Sequence, residues 1–422
     1  MFPLALLVRD GTSVRYVLLS IVWVVAATAQ DEQPAADRAL PETRAGQIEL
    51  QREQKAASLK PEGAEKGEEV FNRIQKSEIF ERLTGEIEGW RIKMGGLVPY
   101  SGFALGPEYY RHFWHEQAIF QSTLVGSFKE FYKFDTNLRM PSLAGEHAFF
   151  SLDGMTFSYP RVDYYGPGPR SNKHGRSNYS LEETGFSGTA GLRPFRYLRI
   201  GATGGYLMTH VGPGEEEELA STDKLFTEQT TPGIQSPSNF AELGGFLEFD
   251  WRDRPGDPAH GGKYTAHYND LLDVRRGAYS FQRLDLEVEQ YFGFLNDQHV
   301  IAIRGRVNAT EAWGGDRVPF YLQPTLGGPD DLRGFRAFRF YDNNAAVLSG
   351  EYRWNLMGSL GMALFVDAGQ VYDRWQHINF RSLHKDYGFG FRVKSQNGIF
   401  MRIDTAFSAE GVFVWARFNN VF

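Results

Sequence analysis

A chain of 422 residues with 15% aromatics, 46 Gly and 34 Phe but a mean hydropathy of -0.40 has the composition of strands whose apolar and polar faces cancel on average. A formal net charge of -7, spread along the chain without a basic stripe, argues against nucleic-acid binding. Cysteine is absent, which excludes disulfides, thiolate metal sites and Cys nucleophiles.

The chain opens with Arg9 and Arg15, then an apolar stretch over 16–29 that ends Ala27-Thr28-Ala29. A charged start, an apolar run and a small-residue cleavage site predict a signal peptide over 1–29. The competing reading, an anchor helix, falls short of the roughly 20 residues that a bilayer core needs. No later window carries an apolar run long enough for a spanning helix, so a mature protein that spans a membrane must do so as a closed sheet. Residues 30–88 are polar, punctuated by Pro34, Pro41 and Pro61, and read as a periplasmic linker, disordered or loosely helical. Val70, Phe71, Ile74, Phe80 and Leu83 recur at helical spacing, which fits one short amphipathic helix there.

From residue 89 onward the pattern alternates with period two. Over 281–292, Leu284, Leu286 and Val288 oppose Arg283, Asp285, Glu287 and Glu289. Over 300–310, Ile301, Ile303 and Val307 oppose Arg304, Arg306 and Asn308; over 239–251, Leu243, Leu247 and Phe249 oppose Glu242, Glu248 and Asp250, with Phe246 an exception on the polar parity. A charge on the lipid face costs roughly 2–4 kcal/mol at the midplane, so confinement of charge to one parity points to a bilayer outside and water inside. About sixteen candidate strands can be counted. Their connections alternate between tight (193–195, 295–297, 355–359, 394–398) and long (166–178, 210–238, 314–342, 370–385), the asymmetry of short periplasmic turns and long extracellular loops. The expected fold is all-β: a 16-stranded antiparallel transmembrane barrel over 89–422, with a long lumen-directed loop. The last strand, 411–422, puts Val414, Ala416, Phe418 and Phe422 on one parity and Phe413, Trp415, Arg417 and Asn419 on the other. An aromatic end at Phe418 and Phe422 resembles the C-terminal signal read by the outer-membrane assembly machinery, although Asn420 departs from it.

Between the candidate eleventh and twelfth strands lies Pro324-Thr-Leu-Gly-Gly-Pro-Asp-Asp-Leu-Arg-Gly-Phe335. The next strand carries Glu351-Tyr-Arg353 and the one after it Phe365-Val-Asp367-Ala-Gly369, while Asp250-Trp-Arg252-Asp253 with Pro258 and Gly261 stands earlier. Leu332-Arg333-Gly334-Phe335 resembles the lid-loop motif of the BamA/TamA superfamily, the outer-membrane assembly factors and bacterial surface antigens. The other segments are similar to its lumen motifs and to its turn between the eighth and ninth strands, in the expected order. The residues also make sense by themselves. Ser349, Glu351, Arg353 and Asn355 share one face, and Phe365, Asp367 and Gly369 share one on the neighbouring strand, so Glu351 and Asp367 both point inward if the polar faces line the lumen. A guanidinium offers five donors in a fixed fork, suited to two carboxylates at once. Arg333 is therefore expected to drop into the lumen beside Phe335 and Phe365 and to meet both acids. In the competing reading Arg333 is an exposed loop arginine and the acids pair with Arg392 and Arg402.

The superfamily's POTRA modules do not fit in the stretch ahead of the first strand, so the chain resembles a POTRA-less branch. The resemblance implies a barrel of the bacterial outer membrane that inserts or translocates protein or lipid, with the lipid bilayer, an unknown polypeptide client and a periplasmic or membrane partner protein around it. The alternative is a passive channel or surface antigen. The acidic run at Glu215 to Glu218 reads as a solvated loop. An enzyme is not expected, since no nucleophile-elbow motif is present. Neither cofactor nor metal is expected: His112, His115 and Glu116 lie beside Phe113 and Trp114 and suit an interfacial girdle better than a metal site.

Overall fold

The computed structural model describes residues 88–422 except 96, 115, 116, 217, 358, 396, 397 and 419–421. The expected signal peptide over 1–29 and the linker with its short helix lie outside the described residues, apart from Glu88. Sixteen strands form one sheet in chain order, each antiparallel to its neighbours. They are β1 (Gly89–Met94), β2 (Ala104–Phe113), β3 (Ala118–Ser127), β4 (Tyr132–Leu143), β5 (Ala148–Tyr164), β6 (Ser177–Phe195), β7 (Leu198–Pro213), β8 (Asn239–Asp250), β9 (His260–Asp273), β10 (Phe281–Phe294), β11 (His299–Ala312), β14 (Asn344–Met357), β15 (Leu360–Tyr372), β16 (His384–Ser395), β17 (Gly398–Ser408) and β18 (Gly411–Phe418). The loop between β11 and β14 carries its own two-stranded ladder, β12 (Thr325–Leu326) with β13 (Phe340–Tyr341).

The alternation decides which way each strand faces. Leu243, Leu247, Leu286, Val288, Ile301, Ile303, Leu348 and Val366 are all exposed on the outer face. Arg392, Arg402, Asp404, Glu351 and Asp367 are buried inside. A two-faced strand that satisfies its backbone through both neighbours meets the demand of a lipid environment. Curvature brings the ends of the sheet together: the ring of Tyr100, after β1, lies 5.6 Å from that of Trp415 in β18.

The connections keep their two lengths. On one side the chain turns at 144–147, 196–197, 295–298 and 358–359, and on the other it loops through 165–176, 214–238, 313–343 and 373–383. Residues 193–195, expected as a turn, belong to β6 instead, because a register shift after Leu192 carries the ladder on to Phe195 opposite Leu198. Phe246 faces inward as its parity dictates, stacked on His267 at 5.4 Å. Gly201 across the ladder makes the room, since a Cβ there would lie 2.8 Å from the Phe246 ring.

The long loops pack together at the barrel mouth around a cluster of buried apolar and aromatic side chains. Tyr164 lies at the centre, with ring centres of Phe320 at 5.2 Å, Tyr341 at 4.9 Å and Phe226 at 5.1 Å. A four-residue helix, α1 (Thr222–Leu225), sits in the loop after β7.

Candidate functional site

The lid loop, 313–343, turns sharply at Gly327 and Gly328, both at positive φ, which suits glycine. The Gly328 N–H is shared between the carbonyls of Leu332 (3.2 Å) and Phe335 (3.1 Å), and the Phe335 N–H donates to the Leu332 carbonyl at 3.1 Å. The loop therefore closes on itself before it meets the wall. Leu332 and Phe335 then bury with Leu326 and Phe340 of the lid ladder and with Ala345, Val347 and Val371 of β14 and β15. Gly369 gives this cluster its seat, since a Cβ there would lie 3.2 Å from Leu326 and 2.9 Å from the Ala346 carbonyl.

Anchored in this way, Arg333 projects into the lumen. Its Nε donates to Asp367 Oδ2 at 2.7 Å and its Nη2 to Asp367 Oδ1 at 2.8 Å, while Nη1 donates to Glu351 Oε1 at 2.5 Å. The guanidinium carbon lies 3.5 Å from the Phe365 ring centre, a cation–π contact on a face that needs no donor. Arg333, Glu351 and Asp367 are all withdrawn from solvent.

The acids are not reserved for Arg333. Arg353 Nε donates to Glu351 Oε2 at 2.7 Å, and Arg392 reaches both Asp404 Oδ1 at 2.5 Å and Glu351 Oε1 at 3.4 Å. Arg402 donates to the lid's Pro329 carbonyl at 2.7 Å and lies 3.3 Å from Asp404. Arg333 is thus buried on the acids and not an exposed loop arginine, and of the competing partners Arg392 joins it at Glu351 while Arg402 turns to Asp404 and the lid. Asp386 completes the cluster directly opposite Asp367 in the ladder. Arg333, Arg353, Arg392 and Arg402 thus converge on three carboxylates, Glu351, Asp367 and Asp404. Desolvation offsets most of the attraction in such a network, so it fixes one lid position more than it adds stability.

A family model described as the Omp85 superfamily domain matches residues 123–410. The chain belongs to the Omp85 superfamily. Among solved structures this Omp85 barrel is similar to BamA from Haemophilus ducreyi lacking POTRA domains 1-3, at 14% identity over 78% of this chain and 70% of that one, with a TM-score of 0.60. It is also similar to CdiB from Escherichia coli, at 13% identity over 80% of this chain and 68% of that one, with a TM-score of 0.53. At such identities the likeness concerns the fold. Family and outward apolar band together make it an outer-membrane β-barrel.

Other singled-out residues take definite places in the Omp85 barrel. After β8, Arg252 chelates Asp250 through Nε (2.9 Å) and Nη2 (2.7 Å), and Asp253 accepts the backbone N–H groups of Ala259 and His260 at 3.0 and 3.1 Å. Phe418 ends β18, its ring 5.4 Å from Phe400. The Phe422 ring is buried inside, 4.7 Å from the Arg353 guanidinium and 6.0 Å from the Tyr291 ring. Of the weighed metal cluster, His112 pairs with Glu88 at 3.1 Å, and His115 and Glu116 lie outside the described residues. Glu216 of the acidic run binds Arg176 at 3.1 Å.

Sequence reasoning missed Asp386, Asp404 and Trp415 as parts of the site. Asp404 shares its parity with Arg402, a signal that was open to the same reading. Trp415 Nε1 donates to the Arg333 carbonyl at 2.7 Å, and no motif announces that.

Proposed function

We propose that this Omp85 barrel inserts polypeptides into the outer membrane, or translocates them across it, by opening between β1 and β18, with the lid's Arg333 setting the resting state. The observation that carries the reading is the buried contact of Arg333 with Glu351 and Asp367, which holds a long loop inside the lumen at one position. The short strands at the two ends of the sheet support this reading: among the described residues β1 has 6 and β18 has 8, against 19 in β6. No ladder joins β1 to β18 among the described residues. Edge strands with few pairing groups cost little to separate, and they offer backbone donors and acceptors to an incoming strand.

The polar stretch ahead of β1 recruits a periplasmic or membrane partner in this scheme, and a pull-down from detergent extracts of the native host should return one. Depletion of the protein in that host tests the main reading. Loss of many outer-membrane proteins supports insertion; a narrow change in permeability with a normal outer-membrane protein profile would favour the passive channel instead.

A further inference from the structure

The lid does more than pin itself to β14 and β15, because its other contacts converge on the two ends of the sheet. On the β18 side, Trp415 Nε1 donates to the Arg333 carbonyl at 2.7 Å, and the Arg417 guanidinium pairs with the Asp330 carboxylate. Beside it in β17, Ser408 Oγ donates to the Gly334 carbonyl at 2.5 Å. On the β1 side, the ring of Tyr100 lies 5.6 Å from Trp415 and 5.2 Å from the guanidinium of the lid's Arg336. Lys129 Nζ, from the loop after β3, holds the Tyr100 carbonyl at 3.1 Å.

We propose that the lid is a clasp across the inside of the seam, and that Trp415 and Tyr100 are the positioning residues through which its state reaches β1 and β18. The geometry gives the reason. Residue 333 bonds β14 and β15 through its side chain and β18 through its backbone, so a lid that leaves the acids also leaves the indole. Trp415 is fully buried, and an indole N–H without a partner there is unfavourable. The close approach of the two ends of the sheet is therefore favoured while the lid is seated and loses that support when it withdraws. Coupling of this kind is reciprocal: parting the seam from outside loosens the lid.

The inference deepens the reading of the seam given above, yet its test needs no client. The full chain has no Cys, so Ile92→Cys and Val412→Cys, both on the outer face, accept a pair of nitroxide labels. The protein is reconstituted in phosphatidylethanolamine/phosphatidylglycerol liposomes and the label-to-label distance is read by pulsed electron resonance. Trp415→Phe keeps a ring and loses the N–H. It should raise the long-distance population about threefold or more, the shift expected from one lost hydrogen bond. Tyr100→Leu, from the other side of the seam, should do the same, and it carries the test if heat-modified gel mobility shows that Trp415→Phe fails to fold. Arg333→Ala should also raise that population, and Arg333→Ala with Trp415→Phe should raise it by less than the product of the two effects, since both act through one contact. Unchanged distances in folded Trp415→Phe and Tyr100→Leu, or effects that multiply, would overturn the clasp. A depletion experiment that pointed to a passive channel would leave it standing.

Discussion

The Arg333 guanidinium lies 3.5 Å from the centre of the Phe365 ring while its edge donates to Asp367 at 2.7 and 2.8 Å. Face and edge are thus used at once, which a planar cation allows and an ammonium does not. Arg333→Lys should keep the charge but lose the fork, leaving acceptor atoms of Asp367 or Glu351 unmet at about 1–3 kcal/mol. The urea midpoint of the barrel in detergent should fall, and proteinase K should cut within 313–343 faster than in the native chain. A lysine variant with native values would mean that the fork is irrelevant.

Gly334 is the next residue under constraint. A Cβ there would lie 2.4 Å from that of Asp386 and 2.8 Å from that of Ser408. Gly334→Ala should push the lid off the wall at about 1–3 kcal/mol, as over-packing does elsewhere. Its signature is faster lid cleavage. Gly350→Ala, where a Cβ meets nothing within 4 Å, is the matched control and should behave as native.

A pH dependence follows from Asp342, in the loop between β13 and β14. Burial pushes its carboxyl up to about 6 from the usual 3.8, with the neighbouring Asp373 adding to the effect against the N–H of Asn343. Between those values the folded chain keeps a proton that the unfolded chain has lost, so this group's contribution falls as pH rises from about 4 to 6 and stays low above. Asp342→Asn cannot ionise. Its unfolding midpoint should match the native one near pH 4 and exceed it at pH 8; curves that stay parallel across that range would contradict the assignment.

Much of the fold was legible because a bilayer enforces period two so strictly. The parity of Leu284, Leu286 and Val288 against Arg283, Asp285 and Glu287 follows from the cost of charge in lipid, and the observed ladder keeps it from Phe281 to Phe294. The same rule put Glu351 and Asp367 on one wall. It lost its hold where a ladder shifts, which is why residues 193–195 were misplaced. Contacts made by backbone atoms were out of reach altogether: the Arg333 carbonyl that receives the Trp415 N–H and the Pro329 carbonyl that receives Arg402 have no side-chain pattern to betray them.

Planar-bilayer conductance of Arg333→Ala, read with lid cleavage on the same preparation, tests the lock most directly. Removing the guanidinium strands Asp367 in the interior while Glu351 keeps Arg353 and Arg392, a loss on the order of 3–5 kcal/mol. The lid should then leave its seat, so that openings become larger or more frequent than in the native barrel while 313–343 becomes accessible to protease. Native conductance together with a protected lid would mean that Arg333 does not hold the loop.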